Sequence, residues 1–167
     1  MSGQPEFWLR GPIPEIPALL QPGAHALLQS LEEVKRYTKG FSEDLLWEKP
    51  GGCASVGFHI QHITGVLDRM LTYAKGESLS EVQFAFLRNE GNPKTEASID
   101  FMVKEFEKKV EEALSYFKSV PVALLTETRT VGRKKLPSTR IGLLFHAAEH
   151  SQRHVGQLWV TINVLKA

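Results

Sequence analysis

Near the C-terminal end of the chain His146, His150 and His154 follow one another at four-residue steps, within LLFHAAEHSQRHVGQL (143–158). A step of four on an α-helix turns the side chain by about 40° and climbs about 6 Å, so neighbours in the set share one face. Two imidazoles placed in this way can chelate one transition-metal ion, as the paired histidines of helical zinc motifs do. These three are half of the six histidines in the protein. A metal site is therefore the chemistry to look for. A catalytic zinc-like site uses about three protein ligands and keeps a position open for water or substrate, so one helix does not suffice. The other source of imidazole is SVGFHIQHITG, with His59 and His62. Both lie beside an apolar stripe, and periodicity does not choose between them.

Other groups compete for attention. His146-Ala147-Ala148-Glu149-His150 matches the H-x-x-E-H signature of a class of metalloproteases in which the glutamate is general base. Those proteases are much larger α/β proteins, and a short helical chain lacks room for that architecture. Cys53 stands near the start of a helix, where a thiol can ionise more easily. A buried or idle cysteine is the stronger reading. The basic cluster Arg129, Arg133, Lys134, Lys135 and Arg140 reads as a solvated connection, with steering of an anionic substrate to the site mouth as the sharper alternative.

Four amphipathic helices must position these groups. The first is expected from Pro22 to Lys39, with proline in its first turn and Gly40 as the stop. The second opens at Ser55 as N-cap and ends near Gly76, with Val56, Ile60, Ile63, Val66, Leu67 and Met70 on its apolar positions. The third has the clearest three-four spacing, from Ile99 through Phe106 to Phe117, and is ended by Val120-Pro121. The fourth takes Ser138 or Thr139 as N-cap and runs to about Leu165. Between them, Ser42 is expected to cap a single helical turn whose Trp47 plugs one end of the core. The 77–95 segment reads as an ordered connection holding at most one short helix, and as a place for dimer contacts or substrate selectivity. Val131-Gly132 suggests a tight turn, and strand signals are weak throughout. Pro5, Pro12, Pro14 and Pro17 exclude regular helix at the start, where Phe7 and Trp8 are expected to pin an arm to the body. The organisation is thus a 1–21 irregular arm and a 22–167 four-helix-bundle domain, all-α with long connections.

Composition narrows the function classes. The chain has 167 residues, and 20 basic against 19 acidic side chains give a net charge of +1 with the signs interspersed. Neither nucleic acid nor a membrane surface is suggested as a partner. No apolar run approaches the ~18 residues of a membrane span. The N-terminus lacks the basic and apolar regions of a secretory signal. A single cysteine cannot form an intramolecular disulfide, and a cytoplasmic location is the expectation.

The two histidine segments, taken together, resemble the DinB-like (YfiT-type) family of metal-dependent enzymes, unrelated in fold to the polymerase sharing the name. The family pattern of [ST]-V-x-x-x-x-x-H-[IV] falls on Ser55, Val56, His62 and Ile63. Its H-x-x-x-H-x-G-Q-[LI] segment falls on His150, His154, Gly156, Gln157 and Leu158. The resemblance implies a four-helix bundle holding one divalent ion, zinc or nickel most often, on His62, His150 and His154. His59 and His146 fall outside that set; with Glu149 and Gln157 they are expected to orient a ligand or a bound water. Gly156 is expected to let helices approach closely. Some relatives are thiol transferases or thiol-dependent isomerases, so a low-molecular-weight thiol is an expected cosubstrate. The function expected is activation of a thiol or water, transferase-like or hydrolase-like, on a small-molecule substrate. A non-catalytic helical metalloprotein is the alternative. Pairing through helix faces into a homodimer is also expected.

Overall fold

A computed structural model describes residues 4–93 and 98–167. The first three residues of the arm and the last two of the 77–95 connection lie outside the described residues. Five α-helices appear among those described: α1 (Gln21–Thr38), α2 (Val56–Lys75), α3 (Glu81–Asn89), α4 (Ile99–Ser119) and α5 (Arg140–Lys166). The four long ones form the expected bundle, in which α2 and α1 each pack on both α5 and α4. Their apolar stripes meet in one core, where Leu27, Ile60, Ile63, Leu67, Phe106, Phe117, Leu144 and Leu158 are fully buried. Among the described residues, no helix is long and apolar enough to cross a membrane.

Helix ends follow local chemistry. Ser55 Oγ accepts from the Phe58 N–H (3.1 Å), which fixes the start of the helix carrying His59 and His62. That helix ends at Gly76, whose φ of 86° suits a residue without Cβ and turns the chain out. Thr139, rather than Ser138, caps α5 by accepting from the Gly142 N–H (3.1 Å). Ser42 makes no side-chain cap; its segment holds two separate 3₁₀ turns, Glu43–Leu45 and Pro50–Gly52. The Trp47 indole from this segment packs flat against the first turn of α2. A Cβ built on Gly57 would lie 2.5–2.7 Å from three of its ring carbons. Gly57→Ala is therefore expected to lose about 1–3 kcal/mol of stability by overpacking, read as a lower urea midpoint with the m-value unchanged. An unaltered midpoint would show the indole to be loosely held.

Two further expectations are corrected. The polar connection before α5 is a β-hairpin, with β1 (Thr128–Val131) antiparallel to β2 (Leu136–Thr139). Four-residue strands alternate too briefly to give a period, but Gly132 at φ 68° and Lys135 at φ 48° supply the turn. The N-terminal arm is held by residues other than Trp8, which is 64 % exposed. Arg10 lies over the Phe7 ring and pairs with both oxygens of Glu32 (2.8 and 3.0 Å), while Gln29 accepts from the Phe7 N–H.

Candidate metal centre

The α2–α5 interface brings His62, His150 and His154 together. One ring nitrogen from each lies within 4.8 Å of the others, a group that could hold a metal ion. Register on both helices does this: Ser55 fixes the start of α2, and Gln152 sets the rotation of α5. The Gln152 amide donates to Ala26 O (3.1 Å) and to the buried Ser30 Oγ (2.8 Å) on α1, turning His150 and His154 towards α2.

His62 Nε2 and His150 Nε2 face each other at 3.0 Å. Two nitrogens about 2.0–2.1 Å from one ion stand roughly 2.8–3.4 Å apart at right to tetrahedral angles. The donor set thus fits a transition-metal ion of the kind for which imidazole is a suitable ligand. His150 Nδ1 is buried with no hydrogen-bond partner among the described residues, so the hydrogen bond that holds the ring is the one on the side facing His62.

Burial, then the electrostatics of the neighbouring rings, holds His150 and His154 down to about 4, well below the usual imidazole range. Both are neutral at pH 7, which is the form that binds metal. His59 is pushed to about 4 by the same causes in the same order and is 3 % exposed. Its Nδ1 meets His154 Nδ1 at 3.1 Å, so it braces that ring and leaves the other nitrogen of His154 free.

Glu90, from the residue closing α3, was absent from the expected site. Its Oε2 accepts from His62 Nδ1 (2.6 Å) and its Oε1 from Arg69 Nη1 (2.6 Å); the carboxylate is 4 % exposed. Gly65 makes the room, since a Cβ there would collide with the Glu90 carboxylate, Arg69 Nη1 and the Phe86 ring. Gly91 donates its N–H to Gln61 Oε1 (2.8 Å) and lies against Phe58, whose ring stacks on His62 at 5.0 Å. The 77–95 segment therefore delivers a carboxylate to a histidine. A sequence signal for α3 existed in Ser80 and Gln83, which form a capping box. Nothing in the sequence ties Glu90 to His62.

The remaining expected residues sit around this group. His146 Nδ1 pairs with Glu149 Oε1 (2.8 Å), and Glu149 also takes Arg153 (2.6 Å). His146, Glu149 and His150 form a second group of metal-ligand spacing on the more exposed side. Gln157 makes no bond to the three histidines; it lines an open cavity of about 560 Å³ with Cys53, Ala54, His59, Arg153, Gly156, Val160 and Thr161. Gly156 serves no close approach, because a Cβ there would meet open space. Cys53, expected to be buried or idle, is not buried: it precedes the first turn of α2 and is exposed at the cavity wall. The basic cluster lies away from the histidines. Arg129 and Arg140 converge on Glu127, and Arg129 donates to Ala74 O near the far end of α2. Ala74 is roughly 18 Å along the helix from His62.

Fold and site together define a helical bundle with a three-histidine group facing across two of its helices. The family model of the DinB superfamily matches residues 11–158, and the chain belongs to that superfamily. No curated protein matches it.

Proposed function

We propose that the protein is a metal-dependent enzyme that uses one divalent ion, zinc or nickel, on His62, His150 and His154. The observation carrying this is the convergence of three imidazoles from two helices, two of them held neutral by burial. Such an ion lowers the pKa of a thiol or water it binds, giving a nucleophile near neutral pH. The chain itself supplies orientation. His59 braces His154, Glu90 fixes His62, and the Phe58 ring stacks on one face of His62. A small-molecule substrate suits the neighbouring cavity, whose lining includes His59 but none of the three candidate ligands; Arg153 and Gln157 there offer hydrogen bonds to a polar end, and Val160 and Ala54 an apolar wall. Thiol transfer is the favoured reaction class, because soft thiolates bind zinc and nickel well, and hydrolysis is the second. A reducing, cytoplasmic setting agrees with the exposed thiol of Cys53.

The test is a screen of low-molecular-weight thiols with electrophilic substrates, and of ester and amide substrates, before and after chelation. Turnover that disappears with the metal and returns on reloading is expected. Metal removal that lowers only the melting temperature, with no turnover in either state, would point to a non-catalytic metalloprotein instead.

A further inference from the structure

We infer that Glu90 is a positioning residue of the metal centre, with Arg69 as its anchor, and that it sets which nitrogen of His62 faces the ion. The inference rests on the three-histidine reading above. His62 can present either ring nitrogen, and the bond made by the other decides which carries the proton. Here Nδ1 lies 2.6 Å from Glu90 Oε2, so the N–H belongs on Nδ1 and the lone pair on Nε2. That lone pair points at His150 Nε2, into the space between the helices. The other carboxylate oxygen is taken by Arg69 Nη1, seven residues beyond His62 on the same face of α2. A charge-assisted bond to a guanidinium is short and directional, so Glu90 cannot swing away from His62 without breaking it.

Burial makes the arrangement consequential. The side chains of Glu90 and Arg69 are 4 % and 8 % exposed, which is costly for a charged pair unless every partner is in place. Nevertheless, α3 buries none of its own residues, and Val82 is 78 % exposed while Phe86 and Leu87 are each 41 % exposed. Core packing thus contributes little to holding the end of α3 against α2. Polar contacts hold it: Gln83 to Asp68 and Thr72, Glu90 to Arg69 and His62, and Gly91 to Gln61. Gly65 is the empty place on α2 through which the carboxylate reaches the ring. A helix with so little buried surface, ended by a buried carboxylate on a candidate ligand, is suited to orienting that ligand. Carboxylate partners of metal-bound histidines typically change metal affinity 10–100-fold when lost.

The experiment titrates the metal-free full chain with Zn²⁺ against a competing chelator, and with Co²⁺ by visible absorption. Wild type is compared with Glu90→Gln and with the double variant Glu90→Leu/Arg69→Met. The double variant removes both charges together and leaves neither buried alone, so it keeps the fold when the single variant does not. The expected result is one ion per wild-type chain and affinity weaker by about 10–100-fold in the double variant. Glu90→Gln should fall between, since an amide oxygen still accepts from Nδ1–H. Imidazole nitrogen shifts of the metal-free wild type should show the His62 proton on Nδ1. Equal affinities within twofold, or a proton on Nε2, would overturn the role of Glu90 and leave the three-histidine site standing. Wild type that takes up neither ion would overturn the site itself, and this inference with it.

Discussion

His62→Ala and His154→Ala are each expected to bring metal content from about one ion per chain to none, while His146→Ala is expected to keep it. Plasma mass spectrometry on protein purified without a histidine tag reads this directly. The contrast between His62 and His146 matters more than the loss in His150→Ala. His150 belongs both to the three-histidine group and to the group with His146 and Glu149, so its removal empties either. His62 belongs only to the first and His146 only to the second. Physical reasons favour the first. Its three donors are imidazoles converging from two helices, and His59 and Glu90 support two of them from behind. In the second group Glu149 is already engaged by Arg153 and His146. Loss of one imidazole leaves two, which do not complete a site for zinc. The same variants should lose metal-dependent stabilisation, which for a site at a hundredfold excess over Kd amounts to about 2.7 kcal/mol. Retention of a full ion in His62→Ala, with loss in His146→Ala, would move the site to the outer group.

The second large effect is acid destabilisation of the metal-free protein. His59, His150 and His154 have folded-state pKa values of about 4, against 6.5 for the unfolded chain. Between those values the unfolded state binds protons that the folded state refuses, so stability rises with pH across that window. The contribution is complete above about 6.5 and falls as pH drops towards 4. Below that both states are protonated and the slope flattens. As many as three protons are taken up on unfolding near pH 5, with solvent screening of the partly exposed His150 and His154 reducing the number. Urea unfolding in chelator at pH 7.5, 6, 5 and 4 measures the slope. His59→Phe, which removes one titrating ring and keeps its volume roughly filled, should make it shallower. A stability flat between pH 7 and 5 would show these rings to be solvated rather than buried.

What the sequence determined by itself is the set of long helices and the histidines they carry. Amphipathic spacing along α1, α2, α4 and α5 reports which side of each helix is buried, because each stripe must be covered to leave water. Local caps at Ser55 and Gly76 were legible for the same reason, since a cap depends on residues within a turn. The four-residue histidine step on α5 is likewise a property of one helix. The hairpin at 128–139 leaves no such mark, because four-residue strands alternate too briefly to show a period. Tertiary structure decided the rest. Whether His59 or His62 faces His150 depends on the rotation of α2 against α5, set by packing of both helices and by Gln152 reaching α1. Glu90 meets His62 across 28 residues through a short helix with no buried residue of its own, and the groove at Gly65 admits it. A contact of that kind arises from where separate elements come to rest, and periodicity along one element carries no record of it.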